Sequence, residues 1–220
     1  MSNPNILLPS VTNISLFLCA YLTLLFSISK ILAHHMQTKL LQVPHEIEHP
    51  NRLFLQPPST RLFLLLSPFA IISAFTNNTL SAFFFHLIFL IFLVYITTLD
   101  LRHEIILNST LSAFSVAAIF HIPWSACSIV DLFTAGIGSF FFLLLLAILT
   151  RGGIGGGDIK LLFVLGLWLG TDLILQVFLW SFLTGGICSL FLLLTKKKKR
   201  SDTIAYAPYF CLSAAILSFF

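Results

Sequence analysis

Two aspartates border apolar segments, where a buried carboxylate is costly. Asp100 follows the apolar run 79–99 and begins "DLRHEIILN", and Asp158 follows three glycines in "RGGIGGGDIKLL". Alone, Asp158 is explained as a helix cap or first-turn residue. Two carboxylates in one partly dry pocket cannot both ionise easily, so they share a proton. One then takes a proton from water while the other donates to a carbonyl oxygen, and the pair Asp100 and Asp158 therefore predicts aspartic-protease chemistry.

The glycines before Asp158 have a use in the same chemistry. Gly155, Gly156 and Gly157 lack a Cβ, so they permit unusual backbone angles and let the main chain of a substrate come close. A phosphate-binding loop would continue with Lys and Ser or Thr, whereas an acid follows here and would repel phosphate. We therefore expect the three glycines to shape the approach of a substrate.

Glu104 lies four residues after Asp100. On a continuing helix these two residues share a face, so Glu104 would interact with the aspartate pair. Contact with a basic segment of the substrate is a second interpretation. A free surface acid is the third, and the sequence leaves all three open.

The elements that position these residues are apolar throughout. The chain is 58% hydrophobic and 9% charged, with a mean hydropathy of +1.00, whereas soluble domains carry about 25% charged residues. Lipid requires each segment to pair its own backbone, so the composition predicts an all-α, polytopic transmembrane protein. Eight apolar runs are candidate spans, at 14–33, 61–76, 79–99, 109–127, 129–149, 159–175, 176–195 and 204–220. The second, sixth and eighth are short, so the sequence predicts six to eight spans, with eight preferred.

The basic residues give this arrangement an orientation. With eight spans, all 12 Lys and Arg fall in connections on one side of the membrane. The positive-inside rule makes that side cytoplasmic, places both termini outside, and puts Asp100 and Asp158 at the cytoplasmic edge. The run 196–200, "KKKKR", is interpreted as an anchor at anionic lipid rather than a nucleic-acid site.

No metal site is predicted. The sequence "HEIEH" at 45–49 has the spacing of a zinc motif, but Pro44 and Pro50 bracket it, which favours a solvated loop over a helix. The cysteines form no C-x-x-C pair, so they are interpreted as small buried residues. They are Cys19, Cys127, Cys188 and Cys211.

Three segments together resemble the type IV prepilin peptidases. "GGIGGGDIKLLFVLGLWLG" resembles the family's GxGD signature and the Gly-rich helix after it, and "LDLRHEIILN" resembles its first catalytic segment. "IAYAPYFCLSAAI" resembles its closing segment and retains the proline. The matching residues are Asp100, Asn108, Gly155, Gly157, Asp158, Lys160, Leu161, Gly166, Gly170 and Pro208.

The resemblance implies a bacterial inner-membrane endopeptidase with Asp100 and Asp158 as catalytic residues. Such enzymes cut the short basic leader from type IV prepilins or type II secretion pseudopilins at the cytoplasmic face, and need no metal or cofactor for cleavage. Lys160, which the family keeps, is a candidate for shaping the site or contacting the leader region. The implied partners are these substrates and membrane lipid, not nucleic acid.

The chain also departs from the family pattern. Leu107 replaces a proline, and the loop 34–61 lacks the cysteines that members carry there. We therefore expect residues 1–60 to form the first span and a reduced cytoplasmic loop, with 61–220 as the peptidase domain. The missing cysteines speak against the N-methyltransferase activity of full-length members. Two alternatives stay open: a transporter binding ions or protons at the same carboxylates, and a catalytically weak relative of the peptidases.

Overall fold

A computed structural model describes residues 80–150, 153–195 and 206–219, together with Lys30. From residue 80 onward the described ranges contain five α-helices, one short 3-10 turn at Ile122–Trp124, and no strand. This confirms the all-α prediction for the described part of the chain. The helices are α1 (Leu80–His103), α2 (Asn108–His121), α3 (Ile129–Leu149), α4 (Gly156–Leu194) and α5 (Ala207–Leu217).

Three of these helices are long and apolar enough to cross a membrane. The qualifying segments are Phe83–Leu101, Ile129–Leu149 and Gly156–Phe191, and the last of these includes both halves of α4. The first two correspond to the spans predicted at 79–99 and 129–149. The helix in the predicted span 109–127 ends earlier, at His121, because the chain then enters the 3-10 turn that contains Pro123.

Several predicted features lie outside the described residues. The chain divides into two compact units, 1–68 and 69–220, and all five helices belong to the second. The first two predicted spans, the loop 34–61 with its histidines, and the basic run 196–200 are not described. The expected domain boundary after residue 60, the eight-span topology and the external termini stay predictions.

Helix α4 is two helices joined at one glycine. Gly170 has φ 78° and ψ 177°, which breaks the helix into α4a (156–169) and α4b (171–194). Along α3, Ser139 donates to the carbonyl of Leu162 in α4a at 3.0 Å. The ring of Phe142, one turn further on, contacts the Phe178 ring in α4b at 5.1 Å.

These contacts show that α4a and α4b are antiparallel, because both flank α3 and their residue numbers diverge from Gly170 along it. The predicted boundary between residues 175 and 176 is therefore wrong by about one and a half helical turns. A positive φ, which glycine adopts without steric cost, reverses the chain without a polar turn.

The backbones of α3 and α4a approach closely at two glycines. A Cβ added to Gly166 would lie 2.6 Å from the backbone nitrogen of Gly136. Small residues at a contact let membrane helices pack without a hydrophobic driving force between them. This contact fixes α4a, and therefore the start of the helix that carries Asp158, against α3.

The remaining helices enclose the inner face of α4a. Helix α5 packs against α1 and α4, and α2 packs against α1 and α4. At the centre, the indole N–H of Trp168 donates to the carbonyl of Phe114 at 3.3 Å, and the Phe89 ring packs on both. The end of α1 lies near the starts of α4a and α5.

Candidate active site

Asp100 lies in the last turn of α1 and is buried, with 5% of its surface exposed. The backbone N–H of Ala207, at the start of α5, is directed at its carboxylate. Its second oxygen, Oδ2, is buried without a hydrogen-bonding partner among the described residues. Buried polar oxygens in native proteins are almost always paired, so this one indicates a place for water or substrate.

Asp158 lies in the first turn of α4a and is half-buried. Its own N–H donates to the carbonyl of Gly155 at 3.1 Å, and the N–H of Gly155 is directed back at the Asp158 carboxylate. A side chain at this third helical position commonly caps the helix in this way. The cap interpretation of Asp158 is therefore correct, and it also fixes where the carboxylate points.

The two aspartates lie close to each other. The Asp158 carboxyl lies close enough to Asp100 for direct charge–charge interaction. Cys211 of α5, which is fully buried, lies within electrostatic reach of both carboxyls, and its thiol bonds the Thr97 side chain of α1. Two carboxyls this close together can share a single proton and act on one water molecule.

The glycine run differs from the prediction. Gly155 has φ −67° and ψ 141°, and helix α4 begins at Gly156. Among the described glycines only Gly170 has a positive φ. The expectation of unusual backbone angles at Gly155, Gly156 and Gly157 is wrong, because these residues form an ordinary helix start.

Two of these glycines have distinct surroundings. A Cβ added to Gly157 would lie 3.1 Å from Cβ of Ile106, so the missing side chain lets the loop after α1 approach α4a. A Cβ added to Gly156 would meet no atom within 4 Å. Gly156 is exposed, so the surface is open beside the start of α4a.

Glu104 does not continue the α1 helix. The helix ends at His103, and Glu104 has φ 52°, with its N–H donating to the carbonyl of Asp100 at 2.9 Å. The premise of a shared helical face is therefore wrong. Glu104 is nevertheless exposed beside the site, and its charge reaches the Asp100 carboxyl.

Lys160 joins the two aspartate-bearing segments. Its Nζ donates to Oδ1 of Asn108, the first residue of α2, at 2.9 Å. The sequence indicated both residues separately but not their contact. Cys211, Thr97 and the Ala207 N–H were also missed as site groups, although Pro208 marked the segment that contains Ala207 and Cys211.

Metal-ligating side chains do not gather elsewhere in the described part of the chain. Among those residues, no group of three or more His, Cys, Asp or Glu has the arrangement of a metal site. The "HEIEH" segment at 45–49 lies outside them.

Comparisons with known proteins agree on one family. Residues 87–190, which include Asp100 and Asp158, match the model of the type IV leader peptidase family. A protein of Bacillus subtilis (strain 168), named prepilin leader peptidase/N-methyltransferase, is 31% identical over 129 residues, covering 55% of this chain and 49% of that protein. No solved structure matches the chain.

A second relative has the same name. This protein of Xanthomonas campestris pv. campestris is 35% identical over 69 residues, which cover 31% of this chain and 24% of the relative. The matches thus span half or less of the length of these relatives. The family model and both relatives confirm the resemblance to the type IV prepilin peptidases that the motifs indicated.

Proposed function

We propose that the chain is a membrane aspartic endopeptidase that removes the basic leader from type IV prepilins or type II secretion pseudopilins. One observation carries the proposal: Asp100 and Asp158, from segments far apart in the sequence, interact with each other, and an Asp100 oxygen has no partner in the described chain. The family match and the names of both relatives support the substrate class.

The Asp100 and Asp158 carboxyls are suited to activating a water molecule. With one proton shared, the ionised carboxylate takes a proton from water, and the resulting hydroxide attacks the scissile carbonyl carbon. The protonated carboxyl donates to the carbonyl oxygen, and the collapse of the tetrahedral intermediate passes a proton to the departing amine. The Gly155 and Ala207 N–H groups hold the two carboxyls in place.

The proposed setting is the bacterial cytoplasmic membrane, with the pocket at its cytoplasmic face. The apolar helices support the membrane, and the placement of basic residues supports the orientation. The exposed rim at Gly155 and Gly156 is the side from which the substrate main chain would approach. Membrane lipid is the implied surrounding.

The transporter alternative has less support. Such proteins build ion sites from broken helices near the carboxylates that bind the ion. Within the described helices the break is at Gly170, twelve residues along α4 from Asp158 and at the opposite end of α4a. The carboxylate pair instead lies at ordinary helix ends.

Cleavage in lipid vesicles tests the proposal. The full chain is reconstituted with a prepilin that carries a basic leader, beside Asp100→Asn, Asp158→Asn and the matched control Asp172→Asn. Asp172 is an exposed carboxylate at the start of α4b, two residues after Gly170. Both dyad variants should lose activity by roughly a thousandfold, the scale of acid–base catalysis, while the control cleaves normally.

The opposite results separate the alternatives. Cleavage that persists in Asp100→Asn or Asp158→Asn would contradict the dyad. A wild-type chain that cleaves none of several prepilins, yet takes up protons or cations in a way that depends on both aspartates, would favour the transporter. A very slow wild-type reaction that still needs both aspartates would identify a catalytically weak relative.

A further inference from the structure

The first turn of α2 lies between the two helices that carry the aspartates. On one side, the Thr110 hydroxyl bonds the side chain of Tyr95 in α1, and both residues are buried. On the other side, Oδ1 of Asn108 accepts the bond from Lys160 of α4a at 2.9 Å. This turn is thus bonded both to the helix of Asp100 and to the helix of Asp158.

The connection from α1 to α2 contributes a second contact with α4a. Ile106 packs against Gly157 so closely that an added Cβ would lie 3.1 Å from its Cβ. The polar bond at Asn108 and the apolar contact at Ile106 therefore meet α4a on either side of Asp158. Two contacts within four residues of α4a leave little freedom between the loop and the helix start.

The Lys160 side chain points away from the carboxyl pair. Residues two apart on an α-helix point about 200° away from each other around its axis. The Lys160 side chain is exposed and bonded to Asn108, whereas Asp158 faces Asp100. An effect of Lys160 on the reaction therefore acts through the position of its helix.

We propose that Asn108 and Lys160 are positioning residues, whose hydrogen bond sets the separation of Asp100 and Asp158. The inference rests on the proposed peptidase function and deepens it. Both carboxyls must reach the same water molecule, and a misplacement of about 1 Å in such a pair can cost a hundredfold in rate. The first turn of α2 acts as a spacer between the aspartate-bearing helices.

The experiment is a double-mutant cycle in the prepilin cleavage assay. Lys160→Met and Asn108→Ala each remove the bond, Asn108→Asp keeps an acceptor for Lys160, and Ser112→Ala is the control. The Ser112 hydroxyl donates to its own helix at the Asn108 carbonyl, so it does not reach α4a. For each variant kcat, KM, the pH profile of kcat and the unfolding temperature are measured.

The proposal predicts a specific pattern. Lys160→Met and Asn108→Ala each lower kcat by about tenfold with KM nearly unchanged, because the pair is misaligned rather than substrate binding lost. The double variant is no worse than the poorer single variant, since both remove one bond. The pH profile of kcat changes in these variants, because the carboxyl separation changes, but not in Asn108→Asp.

Other patterns overturn it. Additive losses, a change in KM alone, or an Asn108→Asp variant as slow as Asn108→Ala would each show that Lys160 and Asn108 act separately. Lower stability with an unchanged pH profile would show a structural role only. Asp100→Asn in the same vesicles keeps the two proposals apart: if it is inactive while Lys160→Met is fully active, only the positioning inference fails.

Discussion

The two ends of α4a each have a carboxylate beside a helix start, and the surroundings of these two carboxylates differ. At the Gly170 end, Asp131 of α3 accepts both the N–H and the hydroxyl of Thr171, the first residue of α4b. At the other end, Asp158 faces Asp100, whose Oδ2 has no partner in the described chain. Both Asp131 oxygens thus accept hydrogen bonds, whereas one Asp100 oxygen at the other end accepts none within the described chain.

This difference distinguishes a carboxylate that stabilises the fold from a carboxyl pair that is proposed to act in the reaction. A carboxylate whose oxygens accept hydrogen bonds stabilises the structure, whereas a buried oxygen without a partner destabilises it. Asp131 therefore holds the reversal between α4a and α4b. At the Asp100 and Asp158 pair, one buried Asp100 oxygen has no partner in the described chain, and interacting buried carboxyls of this kind are frequent at catalytic sites.

Gly170→Ala should have the largest effect on stability, at the Gly170 end. An added Cβ would lie 2.5 Å from Oδ2 of Asp131 and 2.9 Å from Sγ of Cys127, on a backbone with φ 78°. The clash and the positive φ together should lower the free energy of unfolding by about 3 kcal/mol. Unfolding in detergent measures this loss.

Gly186→Ala is the matched control, because a Cβ there meets no atom within 4 Å. It lies in the same helical half, α4b, and should leave stability unchanged or raise it by up to about 1 kcal/mol. Equal losses in Gly170→Ala and Gly186→Ala would contradict the assigned role of the reversal.

Gly157→Ala and Gly156→Ala sharpen the comparison at the aspartate end. The methyl group at 157 would press on Ile106 at 3.1 Å, so we expect a loss of about 1–2 kcal/mol in stability and about tenfold in kcat. The methyl group at 156 faces open space, so stability should hold while KM rises. Steady-state cleavage and thermal unfolding distinguish the two, and identical behaviour would contradict the proposed approach of substrate over Gly156.

Thr171→Val should have the smallest effect. It removes the hydroxyl donor to Asp131 and keeps the N–H donor, so we expect a loss of about 1 kcal/mol in unfolding free energy. Cleavage per folded molecule should not change. Thr184→Val is the control, since that exposed hydroxyl donates to its own helix at Trp180.

The sequence predicted the helical class better than the places where the chain turns. Apolar runs and aspartates at their edges indicated helices and a carboxyl pair, and the bounds of α3 coincide with the predicted span. The reversal at Gly170 was placed too late because it has no polar turn. Gly170 followed by Thr171 and Asp172 was the available signal, a glycine before residues that favour helix starts.

Side-chain partners were harder to predict, because spacing along one chain does not show which elements meet. The Lys160 bond to Asn108 spans 52 positions, and Cys211 reaches the aspartates from a third helix. A continuing helix at Glu104 was one of three interpretations left open, because nothing in "RHEIIL" shows where the helix ends. The glycines 155–157 suggested special backbone angles, whereas their use here is close packing and an open rim.

The central claim is that the two ends of α4a have separate roles, and one paired measurement tests it. Asp158→Asn and Asp131→Asn are reconstituted side by side, and prepilin cleavage and unfolding temperature are measured on the same samples. The account predicts that Asp158→Asn loses cleavage while its unfolding temperature holds, and that Asp131→Asn unfolds at a lower temperature while its folded fraction still cleaves. Cleavage retained in Asp158→Asn, or abolished in a stably folded Asp131→Asn, would contradict it.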